Sequence, residues 1–205
     1  MTPTTTPRRG ATSLSSTDLA LVATFAAFIA VCAILPPLGT NAAGVEFTLQ
    51  MFGIFLTASV LGARRGALAV LLYLAVGTAG VPIFSGGSGG PASWTSASAG
   101  YLLAFPIAAF IVGLVATRVA RINIAAFAVI ISIVAAVVTV AVVGTLGTIG
   151  MAIKFDVSLS AAWAFATPFF LFDILKGIAA AVVAAAVHRA FPQLTAKSRP
   201  APVKI

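Results

Sequence analysis

Long apolar stretches almost without charge decide what this chain can fold into. They run over residues 19–35, 47–61, 67–79, 101–117, 124–149 and 161–187. A helix needs about 20 apolar residues to cross a bilayer, with a range of roughly 17–25. The first, fourth, fifth and sixth stretches meet that length alone. The second and third are short and flank Gly62-Ala63-Arg64-Arg65-Gly66. One span through both would bury two arginines at mid-membrane, so a helical hairpin turning at this basic segment is expected. The expected fold is therefore an all-α integral membrane protein with six transmembrane helices. Only 8% of the residues are charged, against about 25% in soluble domains.

The cations test this count. With the N-terminus in the cytoplasm, Arg8, Arg9, Arg64, Arg65, Arg118, Arg121, Arg189, Lys197, Arg199 and Lys204 all fall inside, ten of the twelve Lys and Arg. Only Lys154 lies in an outer loop, and Lys176 lies within a span. This is the positive-inside pattern. It places both termini in the cytoplasm and assigns the net charge of +8 to topology and contact with membrane lipid, not to nucleic acid. The expected organisation is a disordered cytoplasmic tail at 1–17, a membrane domain at 18–190 and a basic cytoplasmic tail at 191–205. A cleaved signal peptide is the competing reading of the first stretch, with Asn41-Ala42-Ala43 as a faint cleavage site; the apolar run is longer than such signals use. No fixed-period repeat divides the chain into similar halves, which weighs against an inverted-repeat transporter. The single cysteine, Cys32, has no internal disulfide partner.

Three features could carry chemistry. Asp173 and Lys176 stand three residues apart, on one face of the last helix. Each charge at a helix centre costs about 2.5–3.5 kcal/mol on insertion scales. Two readings follow: an internal salt bridge that fixes helix packing, or a pair facing a polar cavity and binding a solute. Gly177, Ala180 and Ala184 continue the face with small residues, and Phe169 and Phe172 supply apolar walls. The second feature is the uncharged run from Gly80 to Pro91, which includes Val81-Pro82-Ile83-Phe84-Ser85-Gly86-Gly87. It lacks the Gly-Lys-Ser/Thr of a phosphate-binding loop. It reads either as a flexible linker or as a loop over a pocket, where irregular backbone near membrane depth must line a cavity or be buried. Trp94 and Tyr101 follow it closely. The third feature is Ala23, Ala26, Ala27 and Ala30, two overlapping small-xxx-small pairs suited either to internal packing or to docking a partner helix. His188, the only histidine, is placed to cap the C-terminal end of the last helix. Glu46 and Asp156 are expected at solvated outer ends. No metal site, cofactor site or nucleophile–base pair stands out, and an enzyme is not expected.

Several runs together resemble the BioY family, the biotin-binding S components of energy-coupling factor (ECF) transporters. They are Phe47-Thr48-Leu49-Gln50, Leu61-Gly62-Ala63-Arg64-Arg65-Gly66, Tyr73, Gly80-Val81-Pro82-Ile83-Phe84, Gly100-Tyr101-Leu102 and Asp173-Ile174-Leu175-Lys176. The family usually reads Gly-Pro-Thr-Gly-Gly-Tyr where this chain has Ser96-Ala97-Ser98-Ala99-Gly100-Tyr101, and often Pro where it has Glu46. The resemblance implies a six-helix S component in a prokaryotic cytoplasmic membrane that captures biotin from outside with high affinity. It implies that Asp173 and Lys176 contact the ligand and that Phe84, Ser85, Gly86, Gly87, Trp94 and Tyr101 shape the pocket. The alanines Ala23, Ala26, Ala27 and Ala30 would dock the transmembrane T component, which couples to two ATP-binding-cassette ATPase subunits. Biotin suits the pair: its ureido ring carries two N–H donors and a carbonyl, and its tail ends in a carboxylate, while an ionised Asp only accepts and Lys only donates. The alternatives are a stand-alone proton-coupled transporter with Asp173 as proton carrier, and an S component for another vitamin.

Overall fold

The computed structural model describes residues 14–40 and 44–191. Residues 1–13 and 192–205 of the expected tails at 1–17 and 191–205, with five of the cations, and Asn41-Ala42-Ala43 lie outside the described residues. The described residues form mainly helices: α1 (Ser16–Ile34), α2 (Gln50–Thr78), α3 (Ala99–Val119), α4 (Ile124–Val138), α5 (Thr145–Phe155) and α6 (Leu159–Ala190). A π-helical segment, Thr139–Gly144, joins α4 to α5, and two 3-10 turns, Ser85–Gly87 and Pro91–Thr95, lie between α2 and α3. Among the described residues, five helices are long and apolar enough to cross a membrane, with residues 124–155 counted as one.

The boundaries have local causes. α1 begins at Ser16, two residues before the expected membrane domain, because Ser15 and Asp18 form a capping box: Asp18 N–H donates to Ser15 Oγ and Ser15 N–H to Asp18 Oδ2. That satisfies two of the donors a helix start leaves over. α1 stops where Leu35 turns extended (ψ 150°), the conformation that a following proline imposes. Asn123 and Ser158 cap α4 and α6 in the same side-chain manner.

The basic turn is tighter than expected. Helical hydrogen bonding runs through Ala63-Arg64-Arg65-Gly66, and the break falls at Gly62 alone, with φ 80° and ψ −178°. That backbone region is open to glycine and strained for residues with a Cβ. The chain folds back there into two arms, residues 50–61 and 63–78. A Cβ on Gly66 would lie 2.9 Å from Ala58 Cα, and Gln50 Nε2 donates to Tyr73 Oη at 2.8 Å. Neither contact is possible along a straight helix, which rises about 1.5 Å per residue.

Backbone-close crossings hold the bundle together. A Cβ on Gly177 would meet Ala135 Cβ at 2.8 Å where α6 crosses α4. Gly100 packs directly on the Leu146 carbonyl where α3 crosses α5. Such crossings suit a membrane protein, where association rests on close packing because lipid is as apolar as the helices. The small-residue stripe on α6 is buried as its spacing suggests, with Ala180 at 1% and Ala184 at 0% exposure.

One end of the bundle gathers the described arginines. Arg65 pairs with Asp18 at 2.6 Å, tying the start of α1 to the turn of α2. Gly62 and Ala63 pack against Thr117 and Gly113, bringing in the end of α3 with Arg118 and Arg121. The opposite end carries the short hairpin around residues 38–47, in which Leu38 N–H donates to the Phe47 carbonyl and Phe47 N–H to the Gly39 carbonyl, both at 2.7 Å. The irregular segment 80–98 lies beside it.

Candidate functional site

At that opposite end, a cavity of about 650 Å³, counted to its open mouth, enters the bundle. It falls in the size range of small-molecule sites, roughly 300–1,000 Å³. Asp173 and Lys176 line it from α6 and are 4% and 7% exposed. Lys176 Nζ donates to Asp173 Oδ1 at 2.7 Å, so each charge has a partner. Gly177 lets α6 sit against α4 and Phe55 one residue beyond Lys176.

The walls are aromatic. Phe47 and Phe169 meet edge to face with ring centroids 4.4 Å apart, and Tyr101 lies tilted over Phe169 at 5.6 Å. Phe84 is 3% exposed, packs its edge on Tyr73 and closes over Gly77, and it faces the same cavity. Phe172 is more exposed and packs on Phe47 outside the cavity lining. The Tyr101 hydroxyl is buried and bonds to no protein group. A buried polar atom of that kind calls for an explanation, and Tyr101 stands on the cavity wall.

Of the residues singled out from sequence, Phe84, Ser85, Tyr101, Asp173 and Lys176 line the cavity together. Gly86, Gly87 and Trp94 do not. The two glycines take left-handed backbone, both with φ 67°, and shape the exposed turn beside Ser85. Trp94 donates from Nε1 to Thr78 Oγ1 at 2.8 Å, pinning the 91–95 turn onto the end of α2.

The structure adds residues that sequence reasoning missed. Glu46, expected at a solvated end, is half-buried and lines the cavity; Ser85 Oγ donates to its Oε2 at 2.7 Å. Its backbone also forms an antiparallel bridge with Thr40. Gln50 lines the wall with its orientation set by a relay: its amide donates to Tyr73 Oη, and the Tyr73 hydroxyl donates to the Ile83 carbonyl at 3.1 Å. This uses one of the two amide N–H donors and leaves the other, with the amide oxygen as an acceptor. Ser93, Ser96 and Ser98 add hydroxyls along one side. The only sequence signal for them was the density of serine in a segment that must be buried or line a cavity. The site can therefore hold an apolar ring system among aromatics, with carboxylate, ammonium, amide and hydroxyl groups around it.

Comparison with known proteins gives the family. The BioY family model matches residues 5–193. The chain is 32% identical over 187 residues to a biotin transporter BioY of Rhizobium etli, covering 90% of this chain and 100% of that one. It is 41% identical to the biotin transporter BioY of Rhodobacter capsulatus over 113 residues, 54% of this chain and 58% of that one. Its fold matches the crystal structure of the S component for biotin from an ECF-type ABC transporter with a TM-score of 0.78, at 24% identity, over 86% of this chain and 95% of that one. With its family match running nearly end to end and a relative aligned over that relative's full length, this chain belongs to the BioY family.

Proposed function

We propose that this protein captures biotin at the outer face of the cell membrane as the substrate-binding subunit of an ATP-driven ECF transporter. The observation that carries this reading is the cavity itself, where the buried Asp173–Lys176 pair stands among aromatic walls. Asp173 accepts from ureido N–H groups or Lys176 donates to the ureido carbonyl or the tail carboxylate, while Phe84, Tyr101 and Phe169 cover the apolar rings. Ser85 belongs to the mouth, and Gly86, Gly87 and Trp94 act by holding the segment that carries it. Purified protein should carry biotin through isolation, identified by mass, and bind it tightly with no partner present. A different vitamin, or no retained ligand and no biotin binding, would overturn the assignment.

Six membrane crossings fit this role, with the arms of α2 as two short ones and the arginine-rich end facing the cytoplasm. Cysteine labelling from either side, at Arg121 and at Gly87, tests that orientation.

Energy must come from partners, because the chain has no phosphate-binding loop. The expected partners are a transmembrane T component and two ATP-binding-cassette ATPases. On α1, Ala23 and Ala27 are exposed, Ala30 is half-buried and Ala26 is 6% exposed against the bundle. We therefore assign docking to Ala23 and Ala27, with Ala30 at the margin, and internal packing to Ala26. Ala23→Leu and Ala27→Leu should abolish coupled uptake in cells and leave biotin affinity of the purified chain unchanged. Ala26→Leu should instead lower stability, by about 1–3 kcal/mol from overpacking. Equal uptake from Ala27→Leu and wild type would refute the docking face.

The Glu46–Ser85 hydrogen bond joins the two segments that frame the mouth. A hydrogen bond to a charged group contributes about 1.5–3 kcal/mol, so its loss should speed biotin release about tenfold. Stopped-flow dissociation from Glu46→Ala and Ser85→Ala should show similar increases, with the double variant no faster than either. Additive effects would mean that the two side chains act separately.

A further inference from the structure

A second cleft, of about 330 Å³, opens at the arginine-rich end between α2, α3 and α6. It is lined by residues 59–62, Ala116, Thr117, Ala120 and His188. It shares no lining residue with the biotin cavity.

Thr117 Oγ1 donates to the Gly113 and Leu114 carbonyls, but two other polar residues of the cleft are not paired in this way. Ser59 is 1% exposed, and its Oγ is enclosed with no hydrogen bond. Both ring nitrogens of His188 are enclosed, and neither reaches hydrogen-bond geometry with the Val60 backbone beside the ring. His188 stands in the last turn of α6, as its position suggests, but makes no capping hydrogen bond; its ring stands edge-on to Phe127, with centroids 5.0 Å apart. Leaving buried polar groups unpaired costs about 1–3 kcal/mol each; the Ser59 hydroxyl and one nitrogen of a neutral His188 ring can each donate, so the cleft can receive an acceptor. The first arm of α2 also ends here, at Gly62, and a helix's last turn leaves carbonyls that accept hydrogen bonds.

The surroundings fix the sign of the charge. Arg118, Arg121 and Arg189 each adjoin a lining residue in sequence, and all three are exposed. Among the described residues none of them forms an ion pair. The whole chain has only four acidic residues, and the one at this end, Asp18, is engaged by Arg65. Basic pockets between helices at a membrane surface hold anionic headgroups.

We propose that this cleft binds the headgroup of an anionic phospholipid, with the phosphate accepting from Ser59 and His188 under the arginines. A glycerol headgroup fits best, because its hydroxyls can donate to the helix-end carbonyls while its phosphate accepts. This site is independent of biotin binding.

The test uses the full chain in nanodiscs of phosphatidylcholine with a minor fraction of phosphatidylglycerol. Native mass spectrometry should find phosphatidylglycerol retained about fivefold above its share of the bulk lipid, the effect of roughly one favourable basic contact. Ser59→Ala and His188→Phe, which keeps the ring contact to Phe127, should each bring retention down towards the bulk ratio. Both should bind biotin as wild type does, which separates loss of this site from misfolding and from failure of the biotin reading. If one variant fails to bind biotin, the other decides. Inorganic phosphate added to discs of phosphatidylcholine alone should give no thermal protection. No enrichment in the wild type, unchanged enrichment in a folded variant, or protection by phosphate with none from phosphatidylglycerol would each overturn the proposal.

Discussion

Asp173→Asn should weaken biotin binding about a hundredfold, as expected when a buried charge-assisted contact is lost. Lys176→Met should do the same. Each change also strands the other partner, which is buried and bonded only within the pair. Breaking a buried ion pair from one side destabilises by about 3–5 kcal/mol, so weaker binding alone would not separate a ligand contact from a structural role. The double variant Asp173→Asn with Lys176→Met separates them. Replacing both charges removes the stranded partner and should restore most of the thermal stability. Biotin affinity should stay low, because neither the anionic acceptor nor the cationic donor is present. Calorimetric binding and thermal unfolding of the three variants give the comparison. A double variant that binds like wild type would reduce the pair to a packing device.

Gly100→Ala should be the most damaging single methyl that can be added near the site. The new Cβ would run into the Leu146 carbonyl and lie 3.1 Å from Gly147 Cα. These are backbone atoms of the facing helix, which no side-chain rotation can move aside. Gly147 and Gly150 keep the same crossing close from the α5 side, and Gly147 receives the Tyr101 ring. Separating α3 from α5 would therefore tilt Tyr101 away from Phe169 and open the wall of the cavity. Overpacking costs about 1–3 kcal/mol, occasionally more, and the upper end is expected here. The purified variant should melt well below wild type and bind biotin poorly. Wild-type stability and affinity would show that the crossing has slack.

Particular residues show how far the sequence could be read. The apolar stretches located the helices to within a few residues, because nothing but a helix satisfies its own backbone in lipid. The fold-back of α2 was legible from Arg64 and Arg65, since charge in mid-membrane is costly. Its tightness was not, because whether the chain turns over five residues or one depends on the φ of Gly62. The π-helical segment Thr139–Gly144 left no sign in composition. A Cβ on its last residue, Gly144, would lie 2.5 Å from the Phe170 ring, a tertiary contact with no counterpart in local pattern.

The site divides along the same line. Spacing on one helix brought Asp173 and Lys176 together, and helical geometry carries that over three residues without help from the rest of the fold. Glu46, Gln50 and Ser98 come from other elements, and only the packing of the 38–47 hairpin, the arms of α2 and the 80–98 segment sets them around one cavity. His188 is the sharpest case. Its place near the last turn suggested a cap on its own helix, yet the structure turns its ring to Phe127 and a cleft shared with Ser59. The sequence alone determined that this chain lies in a membrane, where its helices run, and that one charged pair is buried among them. Which polar groups share that burial was decided by tertiary structure, because partners across a helix bundle are chosen by crossings and turns, not by periodicity.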